Sequence, residues 1–299
     1  MNIRDLEYLV ALSEHKHFRK AADACHVSQP TLSGQIRKLE DELGILLLER
    51  TSRKVLFTQS GLLLVEQARK ILLEVQIFRE MASNQGKEMS GPLHIGVIPT
   101  LGPYLLPCML PMLEQDFPDL ELYLYEAQTQ TLLEKLEMGQ LDCAILAQVP
   151  ETGNFIEVPM FKEKMLLAVS PKHPWASAVD LPLSILKDQE ILMLDDGHCL
   201  REQTLDYCFT AGARENNHFQ ATSLETLRNM VAANTGVTLM PKLAIINEGS
   251  RQGVEYIPFS DPEPYRSVIL AYRPGSPLRT RYERIAKIIQ SAVAPRLSE

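Results

Sequence analysis

The sequence predicts two architectures in one chain: a small all-α N-terminal module with a basic hairpin and a linker helix, then an α/β body of two lobes. Three observations predict it. The length of 299 residues exceeds a single ordinary domain. Apolar periodicity is helical up to about residue 82 and then alternates between strand-like and helix-like segments. Charge is divided unevenly: residues 1–57 hold nine bases and eight acids, and the remainder holds 21 bases and 30 acids, so the net charge of -8 resides in the body.

Leu6, Leu9, Val10 and Leu12 form an apolar stripe at helical spacing that ends near His15. Phe18 to Cys25 reads as a second short helix, with Ala21 and Ala22 small enough to admit a packed neighbour. Val27 and Ser28 make a turn. Ser28-Gln29-Pro30-Thr31 then supplies a capping hydroxyl and a proline for the first turn of a third helix, which runs through Ile36, Leu39 and Leu43 to Gly44. This succession is a helix-turn-helix. Glu49–Phe57 follows as a basic strand-turn-strand, a wing suited to the phosphate backbone. Gln29, Pro30, Thr31, Ser33 and Gln35 stand at the front of the third helix, where hydroxyls and amides reach base edges. Arg37, Lys38, Arg50, Arg53 and Lys54 are placed to neutralise phosphates, so double-stranded DNA is the expected partner of residues 1–57.

Leu64, Ala68, Ile71, Val75, Phe78 and Ala82 alternate at spacings of four and three, a heptad seam expected to zip two chains over residues 58–82. The alternative is a helix packed on its own domain. The polar, glycine-containing stretch 83–91 reads as a hinge. Beyond it LHIGVIP, YLLPCMLPMLEQDF, LELYLYEA, TLLEKLEMGQ and LDCAILA alternate strand and helix, which predicts a largely parallel sheet. Residues 92–299 divide into lobe I (about 92–161 and 268–299) and lobe II (about 162–267), with SVILAYRP bringing the chain back to the first. Small ligands bind in the cleft that such lobes leave.

No apolar run reaches the ~18 residues a membrane span needs, and the first residues carry acids and no small-residue cleavage site, so a cytoplasmic protein is expected. Five cysteines, an odd number without a CxxC pair, argue against a disulfide framework and a zinc ribbon. His15 and His17 have no acidic or thiol cluster beside them, and no phosphate-cradling glycine loop or GxSxG elbow occurs. Neither a metal nor a cofactor is therefore expected.

The run AADACHVSQPTLSGQIRKLEDELGILLLERTSRKVLFTQSG resembles the winged helix-turn-helix of the LysR-type transcriptional regulators, and the resemblance extends over the whole chain. It implies a linker-helix homodimer, often assembled to a homotetramer, and an effector domain resembling periplasmic binding proteins. The later runs GHCLREQTLDYCFTAGA and HFQATSLETLRNMVAA narrow the resemblance to hydrogen-peroxide-sensing members. In those, Cys199 corresponds to the thiol that peroxide oxidises and Cys208 to the resolving thiol of a Cys199–Cys208 redox disulfide. Thr100, Thr129, His198 and Arg266 correspond to groups that bind peroxide or tune the thiolate, and His218 to a supporting one. The resemblance further implies a non-enzymatic activator of antioxidant genes that recruits RNA polymerase at promoters and is reset by glutaredoxin or thioredoxin.

The residues around the same pair carry chemistry of their own. Cys199 follows Asp195-Asp196-Gly197-His198, a turn opening a helical stretch, where the helix N-terminus and the cations of His198 or Arg201 favour thiolate and the two aspartates oppose it. In one continuous helix the nine positions between the cysteines are about 13.5 Å of rise, whereas a disulfide needs Cα atoms within roughly 7 Å. If the segment is helical when reduced, it must melt or refold to form the bond. Cys25, Cys108 and Cys143 read as small buried hydrophobes, Thr100 alternatively as a helix cap and Arg266 as a partner of Glu263. Two rival functions remain at this point. One is a regulator of the same fold sensing an organic metabolite in the cleft. The other is a thiol peroxidase, for which residues 1–57 have no purpose.

Overall fold

The computed structural model describes residues 1–49, 55–83, 89–245, 253–260 and 262–298. The chain forms two compact units, residues 1–85 and 86–299. No helix among the described residues is long and apolar enough to cross a membrane.

The first unit begins with α1 (Ile3–His15), closed by a reciprocal capping box in which Asn2 and Asp5 exchange side-chain and backbone hydrogen bonds of 2.8 and 3.1 Å. Next come α2 (Phe18–Ala24) and α3 (Gln29–Leu43). The Ser28 hydroxyl accepts from the Thr31 N–H, Pro30 occupies the first turn, and Gly44 ends the helix at φ 71°. Leu32, Ile36 and Leu39 share one face of α3 and are buried against Leu9, Leu12, Ala21 and Ala22. Each such leucine contributes about 1.5–3 kcal/mol by leaving water. The opposite face of α3 is thereby turned to solvent.

Glu40 near the end of α3 accepts hydrogen bonds from the Leu47 and Leu48 N–H groups at 2.7 and 3.1 Å, which ties the following segment to the helix. Leu48 and Phe57 form an antiparallel bridge, and the Glu49 N–H donates to the Leu56 carbonyl at 2.8 Å, giving the base of the expected hairpin. Its tip lies outside the described residues. Helix α4 (Gln59–Ser83) follows at once, and Gly61 sits so close to the Leu47 carbonyl that a Cβ would stand 2.2 Å from its oxygen.

Helix α4 divides its apolar residues. Val65 and Ala68 enter the core of the first unit and Leu64 packs half-buried against it. Arg69 reaches back to Ser13 and Glu14 of α1. Two members of the expected seam, Leu64 and Ala68, are thus engaged within their own unit. Ile71 and Phe78 remain 37% and 73% exposed and Val75 half-buried, and the Ala82 side chain lies outside the described residues.

In the second unit β1 (Gly91–Val97) pairs in parallel with β2 (Leu120–Glu126) and β3 (Cys143–Ala147). Helices α5 (Gly102–Asp116) and α6 (Thr129–Glu137) provide the crossovers. The next strand, β4 (Ile156–Val169), is 14 residues long. Beyond it lie β5 (Glu190–Leu194), α7 (Cys199–Thr210), β6 (Arg214–Ala221), α8 (Leu224–Ala232), β7 (Thr238–Pro241), β8 (Glu255–Ile257), β9 (Tyr265–Tyr272) and α9 (Arg279–Ser298). The main sheet runs β2-β1-β3-β9-β4-β7 with β8 also on β4, and β5 and β6 form a separate parallel pair.

The sheet is mixed, which corrects the expectation of a largely parallel one. Strand β9 arrives from the far end of the unit and runs antiparallel to both β3 and β4, while β7 and β8 are antiparallel to β4. Neighbouring strands joined by a long connection can pair in either direction, so the polarity of β9 is set by where the chain re-enters the sheet and not by its own residues.

Two hydrophobic cores result. One gathers β1, β3, α5, α6, α9 and the C-terminal end of β9, the other β5, β7, α8 and the C-terminal half of β4. Strand β4 passes from one core to the other, and the lobe boundaries expected near 161 and 267 fall inside β4 and β9.

Candidate redox site

Cys199 is the first residue of α7 and Cys208 lies in its last turn. Both thiols are free and buried, at 6% and 0% exposure. They belong to different cores: Cys199 packs with the first and Cys208 with the second. The helix between them is continuous, so the nine-residue interval corresponds to about 13.5 Å of rise, well beyond disulfide reach. Burial pushes the Cys208 thiol up to about 12, so in this arrangement it is protonated at neutral pH.

The turn before Cys199 is held from another element. Gly197 has φ 87°, and a Cβ there would lie 2.7 Å from the side-chain oxygen of Gln128, whose amide nitrogen donates to the Asp196 carbonyl at 3.1 Å. Only glycine combines that backbone with that approach. His198 occupies the N-cap position without a side-chain capping bond and is 7% exposed. Burial holds its imidazole below the ordinary histidine range, against the opposing pull of Asp195.

The cations expected beside Cys199 are therefore corrected. Burial favours the neutral form of His198. Arg201 is committed elsewhere: it forms a two-pronged pair with Glu215 at 2.6 and 2.9 Å, meets Asp196 at 3.0 Å and donates to the Leu194 carbonyl.

Thr100 and Arg266, 166 positions apart in sequence, are brought together. The guanidinium donates to the Thr100 hydroxyl at 3.0 Å and to its carbonyl at 3.1 Å, and both residues are buried. The partner of Arg266 is Glu163, not Glu263. Glu163 faces Arg266 across the β4–β9 pair, accepts its Nε–H at 2.7 Å, and accepts the Leu243 N–H at 2.7 Å with its other oxygen. Both side chains are fully buried, so the pair persists only because its hydrogen bonds are made. Glu263 instead pairs with the exposed Lys164.

Sequence reasoning missed Glu163, although a signal was present. In a strand, residues 161, 163, 165 and 167 share a face, and Phe161, Met165 and Leu167 make that face apolar. An acid on an apolar strand face demands a buried cation.

Thr129 opens α6 beside Gln128. Its hydroxyl is buried with no hydrogen-bond partner among the described residues. His218 falls on β6, and its side chain lies outside the described residues.

The other three cysteines are also free thiols. Cys108 and Cys143 are buried and Cys25 half-buried, and burial raises all three thiols. No cluster of metal-binding side chains occurs among the described residues.

In the first unit, the solvent face of α3 carries Gln29, Pro30, Thr31, Arg37 and Lys38 exposed, with Ser33 and Gln35 half-buried beside them. Arg50, Arg53 and Lys54 lie outside the described residues.

Residues 3–62 match the family described as "Bacterial regulatory helix-turn-helix protein, lysR family", and residues 86–294 match the LysR substrate binding domain. The chain is 74% identical over 293 residues to the hydrogen peroxide-inducible genes activator of Haemophilus influenzae, covering 98% of this chain and 97% of that one. It is 65% identical over 291 residues to the DNA-binding transcriptional dual regulator OxyR of Escherichia coli, covering 97% and 95%. Among solved structures it resembles a cysteine-to-aspartate variant of full-length OxyR from Pseudomonas aeruginosa, with TM-score 0.79, 36% identity, and 97% and 95% coverage.

Proposed function

The chain belongs to the LysR family of transcriptional regulators, and from that premise we propose that it is an activator of genes induced by hydrogen peroxide. The observation that carries this reading is the placement of two free thiols at opposite ends of one helix, each in a different core. The near-full-length identity to a peroxide-inducible activator supports it.

In the proposed mechanism the Cys199 thiolate attacks one peroxide oxygen, the O–O bond breaks, and hydroxide leaves and takes up a proton as water. This gives a Cys199 sulfenic acid. Thr100, Thr129 and Arg266 hold the peroxide. The Thr129 hydroxyl, without a partner among the described residues, and the Arg266–Thr100 pair provide donors and acceptors of the required kind. Neutral His198 contributes an imidazole proton donor or acceptor beside the sulfur, and His218 supports the shell.

The Cys208 sulfur then attacks the sulfenic sulfur. An S–S bond forms, and the sulfenic oxygen leaves as water with the Cys208 proton. Because α7 keeps the sulfurs apart, it must unwind. Unwinding exposes Cys208 and relieves the burial that holds its thiol protonated, so refolding also supplies the nucleophile.

The refolded body then alters how paired copies contact promoter DNA. On this reading copies associate through exposed residues of α4, such as Phe78, as a homodimer that assembles further to a homotetramer. The face of α3 enters the major groove, and Arg50, Arg53 and Lys54 follow the backbone as a wing. RNA polymerase is recruited in the cytoplasm, and glutaredoxin or thioredoxin restores the thiols.

Peroxide titration with non-reducing peptide mapping tests the proposal. A Cys199–Cys208 peptide is expected in the wild type, together with complete loss of the transcriptional response in Cys199→Ser. A Cys199→Ser protein that still responds would overturn the reading.

A further inference from the structure

Between the two cysteines, α7 presents a second set of residues at helical spacing. Gln203 and Tyr207 follow Cys199 by four and eight positions and lie on the side of α7 that meets the first core and β9. The Gln203 amide nitrogen donates to the Gln148 carbonyl at 3.1 Å, and the Tyr207 hydroxyl donates to the Tyr265 carbonyl at 3.0 Å.

The two bonds are not equivalent. The Gln203 side-chain oxygen is buried without a partner among the described residues. Melting α7 costs Gln203 one hydrogen bond but releases an orphaned oxygen to water, and these terms are of similar size. Tyr207 has no such offset. It also directly precedes Cys208, so Cys208 cannot travel toward Cys199 while the Tyr207 hydroxyl stays on β9. Its acceptor belongs to the residue just before Arg266, whose guanidinium holds Thr100.

We propose that Tyr207 is a positioning residue for the thiol switch: its hydroxyl, docked on the Tyr265 carbonyl, holds Cys208 at the far end of α7 and sets how readily the disulfide forms. The inference rests on the disulfide reading above. The step it restrains is attack of the Cys208 sulfur on the Cys199 sulfenic sulfur, with release of water. The oxidation of Cys199 itself, two helical turns away, is left untouched.

The test compares full-length wild type with Tyr207→Phe, which keeps the ring and removes the hydroxyl. Losing one hydrogen bond made only in the helical state shifts the dithiol–disulfide equilibrium about fivefold toward the disulfide. In glutathione thiol–disulfide buffers this lowers the midpoint by about 20 mV. After a peroxide pulse, less sulfenic acid is trapped by a 1,3-diketone in the variant, while the rate of the first oxidation is unchanged. The melting temperature falls in the reduced form and not in the oxidised one.

An unmoved midpoint, or an equal loss of melting temperature in both redox forms, would make the hydroxyl a purely structural contact and overturn the proposal. A wild type that never forms the Cys199–Cys208 linkage would overturn the disulfide reading itself, and this inference with it. A normal wild-type linkage with an unmoved variant overturns the inference alone.

Discussion

Helices α3 and α7 carry the candidate functional residues of their units on opposite plans. Helix α3 buries Leu32, Ile36 and Leu39 and turns its polar residues outward, so its candidate groups are those the core does not use. Helix α7 puts its candidate groups inside: Cys199 and Cys208 are both buried, and each is part of the packing that holds the helix in place. A surface that binds a large rigid partner can be built once and left. A group that must react and then move has to be stabilised by contacts that its own reaction removes. The contrast places stiffness at α3 and conditional stability at α7.

The contrast is broken most severely at the buried Glu163–Arg266 pair of β4 and β9. Glu163→Ala leaves Arg266 buried and uncompensated, and a loss of about 3–5 kcal/mol is expected. It should appear in thermal unfolding of the second unit, together with loss of the peroxide response, while the first unit is unaffected. Unfolding of both units together would mean that the two plans are not independent.

A smaller effect sharpens the α3 side. Ser28→Ala removes the cap of α3 and is expected to cost about 1 kcal/mol, measured as a lowered denaturant midpoint of the first unit. DNA affinity falls modestly and the redox midpoint does not move. A shifted midpoint would show that α3 is not the passive surface described above.

The smallest effect is a pH dependence confined to α7. The folded-state pKa of His198 lies below its ordinary value of about 6.5, so the unfolded chain binds the proton first as pH falls. The stability contributed by neutral His198 is full above that value and is lost as pH falls toward the folded pKa. Reduced protein melted between pH 7 and pH 5 should show this slope, and His198→Gln should flatten it. The first unit should show no matching change from this cause.

The same contrast explains what was legible in the sequence. Everything that defines α3 lies within a short stretch: the Ser28 cap, Pro30, the apolar spacing and the Gly44 stop. Local rules suffice for such an element. At α7 the sequence carries the cysteine pair and their spacing, but the groups around them come from elsewhere in the chain. Gln128 fixes the turn at Gly197, Glu163 fixes Arg266, and Arg266 meets Thr100 across 166 positions. No local pattern encodes those meetings: proximity in sequence offers Glu263 as an alternative partner for Arg266 and Arg201 as a candidate cation for Cys199, whereas the fold commits them to Glu163 and Glu215. The direction of β9 escaped for a related reason: alternation marks a strand but not its polarity. Glu163 was the exception, a distant partner whose own strand face announced that it needed one.

The helical interval between Cys199 and Cys208 also has a meaning in time. If the thiols touched, detection and commitment would be one event, and any stray oxidation would throw the switch. On the proposed mechanism, with α7 folded between the thiols, a newly oxidised Cys199 waits for the helix to open. During that wait a cellular thiol can erase the mark. A brief pulse of oxidant then leaves no record, whereas sustained exposure does. On the proposed mechanism, α7 is a delay line whose length is set by the stability of twelve residues.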